Sequence, residues 1–422
     1  MKIPFLGERE CSLILPFVFF VAIISKFFFL PLNLKIKKNY VNEISFALFF
    51  FFVFIIITFF NNIQMPGGSV NSGFLGRWNL INTLFVFFSI LLTFKIEILD
   101  ILLEHFYKFY KTILVLSLLI LFLNIEKIPI FNTFSWMVIK ENASSNRMII
   151  AGISAVMVLI YILCFKEYSL KTSLVFLLSF LGVLFCGGRS TFFSFFIIIF
   201  CYWAIKNRIL GQATLLSLVP ICLFIVFSLS PLVFYVPVKF QRLFVVFPSE
   251  FYTGSLRQLK KTSAASSSNF RYEMWSKAIS EIPDNVLIGK GLGVPKAEYS
   301  FDRKGMDAFR EVSSKTLISD FMNTGGLHNT FVSIAFIMGI PAFILFFYFF
   351  LKLTIAAYST SLKLKEKYRM QMFFFTLILI YYLIKSIISD IYFELDFFAF
   401  LAIIFKTVYI YKGHKTALSI KK

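Results

Sequence analysis

The chain has 422 residues, of which 59% are hydrophobic and only 15% charged, with a formal net charge of +20. Soluble domains carry about a quarter charged residues, so this balance excludes a soluble globule. Continuous apolar runs exclude a closed β-barrel, whose strands alternate. The fold class that remains is an all-α polytopic membrane protein, because a helix satisfies its own backbone in lipid.

Taken in chain order, apolar runs of bridging or near-bridging length cover roughly 11–32, 44–60, 78–94, 112–125, 148–165, 170–187, 190–205, 210–236, 329–351, 371–389 and 395–411. The first follows Lys2 and Arg9 as a signal peptide would, but it has no small-residue cleavage site and reads as a retained anchor. Lys26 inside it either snorkels or marks the turn of a hairpin, so about 11–12 transmembrane helices are expected.

The connections alternate in character. Segments 33–43, 95–111, 166–171, 206–208 and 352–369, with the tail after Tyr411, bear Lys and Arg, while 61–77, 126–147, 187–190, 238–326 and 389–395 lie between them. The positive-inside rule places the first set in the cytoplasm and the second outside. The chain then divides into an N-terminal transmembrane bundle (1–237), a large extracytoplasmic loop (238–328), and a C-terminal three-helix transmembrane part with a cytoplasmic tail (329–422). The same rule accounts for much of the net charge. No basic stripe stands on a soluble fold, so nucleic acid is not the expected partner.

The five cysteines, Cys11, Cys164, Cys186, Cys201 and Cys222, lie in or beside apolar runs, with neither metal-ligand spacing nor a disulfide framework. No metal or cofactor is expected. No internal repeat is evident, which weighs against an inverted-repeat transporter.

This topology gathers Arg77, Arg147, Arg189, Arg271 and His328 on the outer side from five different segments. The long loop also holds about four more basic than acidic residues, and an anionic ligand would explain both facts. Gly187-Gly188-Arg189-Ser190 joins two apolar runs, where an arginine either snorkels to lipid phosphate or serves function. Arg271 and Trp275, four apart, fall on one face of a short helix, as a binding pair or as a solvated arginine beside an interfacial tryptophan.

Gly289-Lys290-Gly291-Leu292-Gly293 fails both nucleotide-loop templates and reads as a turn that packs the loop back on the membrane. His328 stands where the loop re-enters the membrane, followed by Asn329. It suits general-base work on a hydroxyl, charge pairing, or a helix cap. His105 and His414 read as solvated residues. Asp320, Asp390, Glu394 and Asp396 are acids on the same side that could orient a base.

Gly188-Arg189-Ser190, Arg271-x-x-x-Trp275, Gly289-x-Gly291-x-Gly293 and His328-Asn329 followed by Gly339-Ile340, in this order and sidedness, resemble the O-antigen ligase and polymerase superfamily. The resemblance is clearest over about 180–345. It implies a metal-independent glycosyltransferase of the bacterial inner membrane, with its site on the periplasmic or extracellular side. The donor would be an undecaprenyl-pyrophosphate-linked glycan. Arg189 and Arg271 would hold the pyrophosphate and His328 would stand near the transfer centre. Arg77, Arg147, Trp275, Asn329 and Asp390 are the expected substrate-binding residues. Membrane lipid, a chain-length regulator and a flippase are the further partners implied.

Two departures favour a polymerase over a ligase. Met338 replaces the acidic residue that often precedes the glycine at Gly339, and the extended ligase-type motif around the histidine is not visible. A lipid-linked glycan flippase or exporter is the rival class. It requires charges deep within spans, where Lys385 and Lys406 are the chief instances.

Overall fold

The computed structural model describes residues 41–61, 70–123, 143–167, 169–186, 189–207, 225–226, 228–231, 263–291, 327–388 and 395–413. Every extended element among them is helical: α1 (Val41–Asn61), α2 (Val70–Thr93), α3 (Leu99–Leu123), α4 (Ala143–Phe165), α5 (Leu170–Cys186), α6 (Arg189–Lys206), α7 (Ser263–Glu281), α8 (Thr330–Met338), α9 (Ile340–Ser361), α10 (Glu366–Ile388) and α11 (Leu395–Gly413). The expected runs 11–32 and 210–236 lie largely or wholly outside the described residues.

Two helices, Ile340–Ser361 and Glu366–Ile387, are by themselves long and apolar enough to cross a bilayer. Shorter apolar stretches lie at Ile44–Thr58, Ile81–Thr93, Ala151–Phe165, Leu170–Leu184 and Thr191–Ala204. Several of these helices expose large apolar side chains, among them Phe46, Leu116, Leu177 and Ile344. A helix that is apolar all round lies in a protein core or in lipid; apolar side chains left exposed fit lipid, and the chain is a membrane protein whose described elements are helical.

Two compact units form. The first comprises Met1–Ile96, Phe270–Lys365 and Ser386–Lys422, and the second comprises Glu97–Asn269 and Glu366–Lys385.

In the first unit α1 packs on α2, α8 and α9, and α11 packs on α2 and α9. The core is aromatic. The Phe51 ring stands 5.1 Å from Phe346, Phe52 5.1 Å from Phe87, and Phe350 5.8 Å from Phe397. Tilted and edge-on rings at such spacing add about 0.5–1.5 kcal/mol beyond their burial. Lys406 on α11 gives its Nζ proton to the Leu91 carbonyl at 2.6 Å, so a cation meets the carbonyl-rich end of α2.

In the second unit α4 is the centre, packed on α3, α5 and α6. Small residues allow this. A Cβ at Gly182 of α5 would stand 2.6 Å from Leu114 Cδ1 and 3.3 Å from Ala155 Cβ, with Ala151 beneath. Where lipid removes the hydrophobic drive between helices, such close backbone approach is what packs them. At the start of α3, Asp100 takes Lys367 Nζ at 2.5 Å and the Gln371 amide, which ties α10 into this unit.

Several boundaries differ from the hydropathy reading, and three of them bear on the packing and the site. The helix expected at 112–125 begins at Leu99, because Glu104 and Lys108 pair at 3.0 Å across one helical turn and carry the helix through a charged stretch. Likewise α9 runs to Ser361, ten residues past the expected end, with Lys352 Nζ folded 5.3 Å over the Tyr348 ring. Most important for the site, the run expected as one helix at 329–351 is broken at Gly339 into α8 and α9.

Candidate functional site

The site is built in the first unit from α7, the turn that follows it, and the entrance to α8. Met274 and Ala278, one helical turn apart, are fully buried and seat α7. Arg271 and Trp275 flank that seam, both half-buried. The indole Nε1–H of Trp275 donates to the Leu327 carbonyl at 2.6 Å. This bond joins residues far apart in sequence and delivers the 327–329 segment to the face that carries Arg271.

His328 has φ of +53°, the left-handed region that non-glycine residues enter at a cost of about 1–2 kcal/mol. Its neighbours impose the turn. Leu327 is fully buried before it. After it, Asn329 is extended and its Oδ1 accepts from the Phe331 and Val332 backbone N–H groups at 3.0 and 3.1 Å. Asn329 is therefore the N-cap of α8, and the capping role considered for His328 belongs to its neighbour.

The imidazole is left free of that duty and is half-buried. Burial first, and the Arg271 guanidinium second, hold its pKa below the ordinary histidine value. A histidine lowered in this way is neutral at physiological pH, the form that can accept a proton. The alternative role of His328 in charge pairing, which needs the protonated ring, is the weaker one beside Arg271.

The turn after α7 completes the frame. A short 3-10 segment, Ile282–Asn285, ends α7, and the chain from Val286 to Gly291 then enters the break between α8 and α9. Lys290 N–H donates to the Phe336 carbonyl at 2.8 Å, and Gly291 N–H to that of Ile337 at 2.9 Å. Those are carbonyls that the end of α8 leaves without helical partners. In return Ile340 N–H donates to the Val286 carbonyl at 2.8 Å. Gly289–Gly291 is thus a turn packed against the break between α8 and α9, and Leu292 and Gly293 of the cluster lie outside the described residues.

Other expected residues have different surroundings. Asn329 uses its side-chain oxygen as a cap, and Trp275 uses its N–H on Leu327. Arg77 lies in α2, Arg147 in α4, and Arg189 is the first residue of α6, but their side chains are outside the described residues. Asp390 and Asp320 are also outside them. His105 is exposed, with its Nδ1 2.7 Å from the Ile101 carbonyl of its own helix. Among the described residues no three His, Cys, Asp or Glu side chains converge to hold a metal.

The sequence reading did not anticipate the Lys290 Nζ–Glu281 Oε2 pair at 2.7 Å or the helix break. The break did have a signal, since Pro341 follows Gly339 by two residues.

Residues 174–347 match a family model described as O-antigen ligase. The matched segment contains Arg189, Arg271, Trp275, His328 and both sides of the Gly339 break. No curated protein matches the chain. The chain carries a domain of the O-antigen polymerase and ligase-like superfamily. That family implies a glycosyl-transferring membrane enzyme of polysaccharide or lipopolysaccharide biosynthesis, acting on lipid-linked glycan.

Proposed function

We propose that the chain is a polymerase that joins undecaprenyl-pyrophosphate-linked oligosaccharide repeat units into O-antigen or capsule on the outer face of the bacterial inner membrane. The observation that carries this reading is the Trp275–Leu327 bond, which holds the half-buried His328 beside the helix face that carries Arg271. A hydroxyl of the acceptor repeat unit attacks the anomeric carbon of the donor glycan. His328 takes the hydroxyl proton as the new glycosidic bond forms. The bond from the anomeric carbon to the pyrophosphate oxygen breaks, and undecaprenyl pyrophosphate departs with the electron pair.

General-base help of this kind contributes roughly 10²–10⁴-fold in rate. The departing group is multiply charged, and a guanidinium fork meets two of its oxygens at once as charge develops. Arg271 supplies that fork, and by resemblance Arg189 does too. In this reading guanidinium does the electrostatic work that a metal does in other transferases.

The matched family's description favours one second reading, ligase-type transfer of glycan to lipid A-core or another acceptor. Met338 supports the polymerase. It is fully buried at the break, where the acid often found at this place would be desolvated.

A flippase is less supported. Lys406 is committed to the end of α2, and Lys385, only 6% exposed, lies 5.9 and 5.8 Å from the Tyr381 and Tyr382 rings. Held in this way, buried Lys385 and half-buried Lys406 serve packing rather than a polar path.

Deletion of the chain in its host, followed by electrophoresis of surface glycan, tests the reading. A polymerase leaves single repeat units on the surface. Long chains that accumulate on the lipid carrier without transfer would indicate a ligase, and loss of all outer-side glycan a transporter.

A further inference from the structure

We propose that the loop Val286–Gly291, locked into the α8–α9 break through Gly289 and Gly339, is a positioning device that fixes Arg271 relative to His328. The proposal rests on the reading of these two residues as the working pair, and it adds three positioning residues, Gly289, Gly339 and Lys290.

Helix α8 is nine residues long, or about 13 Å. His328 precedes its first turn, and Gly339 follows its last. The chain of α7 grips it at both ends. Trp275 bonds the Leu327 carbonyl at the first end. Lys290 and Gly291 bond the Phe336 and Ile337 carbonyls at the second. A short helix held at one end can swing about that point. Held at both ends by the continuation of one helix, it cannot turn or slide without taking α7 along.

Glycine at both contact points is what makes the second grip possible. A Cβ at Gly289, with φ +68°, would stand 2.3 Å from the Ile337 carbonyl carbon and oxygen. At Gly339, with φ +92°, it would stand 2.5 Å from the Leu287 oxygen. These obstacles are backbone atoms, so no side-chain rotation relieves them. Lys290 then seals the loop. Its Nζ bonds Glu281 Oε2 at 2.7 Å and lies 5.4 Å from the Phe336 ring centroid, linking the end of α7 to the last turn of α8.

The described charged residues on the elements that frame this site are Arg271, Glu273 and Lys277 on α7, Glu281 at its end and Lys290 in the loop, and α11, which packs on α9, begins with Asp396 in its first turn. Glu43 of α1 and Arg77 of α2 have side chains outside the described residues. Of the described groups it is Arg271 whose charge acts on the imidazole.

The test is an NMR titration of the His328 imidazole in the purified full-length protein in detergent, with the His328→Asn spectrum identifying its signal among the three histidines. It compares wild type, Glu281→Gln and Lys290→Met, with Gly339→Ala added if that variant folds. Release of the clamp hydrates His328 and lets Arg271 move away, and both changes raise its pKa. Any direct effect of charge loss would instead lower it in Glu281→Gln and raise it in Lys290→Met, so the sign in Glu281→Gln is the deciding one. We expect Glu281→Gln and Lys290→Met each to shift the midpoint upward by about 0.3 pH units or more, toward the ordinary value near 6.5. A downward shift in Glu281→Gln, or wild-type midpoints in both variants, would overturn the clamp.

The titration needs no turnover, so its outcome is separate from the polymerase reading. Upward shifts in a chain that proves to be a ligase would leave the clamp standing. Unmoved midpoints in a proven polymerase would remove the clamp alone.

Discussion

Trp275 and Leu327 are joined by an indole N–H to backbone carbonyl bond of 2.6 Å, although 52 positions separate them. This bond makes α7 and the entrance to α8 a single site, because Arg271 lies one turn before the tryptophan and His328 one residue after the carbonyl. Trp275→Phe keeps most of the ring but leaves the carbonyl without its donor. An unmade hydrogen bond at a largely desolvated group costs about 1–3 kcal/mol. The variant should have a lower apparent Tm in detergent and reduced polymer, while still residing in the membrane. An unchanged Tm would mean that the bond holds nothing in place.

His328 also predicts a pH dependence whose sign is fixed. Its folded pKa is below the ordinary value near 6.5, so as pH falls below about 6.5 the unfolded chain binds a proton before the folded one does. Its contribution to stability is therefore complete above that value and is lost as pH falls toward the folded pKa. For activity, the acidic limb of kcat/KM should lie below about pH 6.5. Arg271→Gln removes the nearby charge and should move the limb upward. Arg271→Lys should leave the limb near its wild-type position yet restore little turnover, since an ammonium keeps the charge and loses the fork. Identical limbs in wild type and Arg271→Gln would separate the two residues.

Asn329 caps α8 through two backbone N–H groups, and Asn329→Ala should cost about 0.5–2 kcal/mol, with Asn329→Asp recovering most of it. Thermal unfolding monitored by a thiol-reactive dye at the buried Cys164 or half-buried Cys201 would measure this. Equal stability in the Ala and Asp variants would remove the cap from the account.

Much of this site was legible in the sequence, and for identifiable reasons. The four-residue spacing of Arg271 and Trp275 dictates a shared helical face, and the single histidine at the end of a polar segment marks the lip of a helix. The Gly339 break was hidden because Thr330–Leu351 is continuously apolar, and hydropathy does not register a backbone turn. Gly339 and Pro341 were the visible signs of it. Helix ends at Leu99 and Ser361 were missed for the opposite reason. Charged residues such as Glu104, Lys108 and Lys352 can continue a helix when they pair or fold over rings. The Lys290–Glu281 pair could not be read at all, since nothing in their spacing signals that a 3-10 turn brings them together.

The proposed orientation rests on the alternation of lysine-bearing connections, and Ser267 and Lys365 test it from opposite sides. Cysteine at each position, labelled on intact cells with an impermeant thiol reagent, should react at 267 and stay protected at 365. The reverse pattern would place Arg271 and His328 on the cytoplasmic face, away from any outer-side glycan.

The central claim is that His328 is the base of polymerisation, and His328→Asn tests it most directly. Asparagine tolerates the left-handed backbone that this position requires, so the fold is kept while the titrating group is lost. Glycan extracted from cells that carry this variant at wild-type protein levels, resolved by chain length, is the measurement. With the base removed, single-repeat surface glycan with no long chains is expected. Long chains at wild-type abundance would contradict it and leave the chemistry to the arginines and another base.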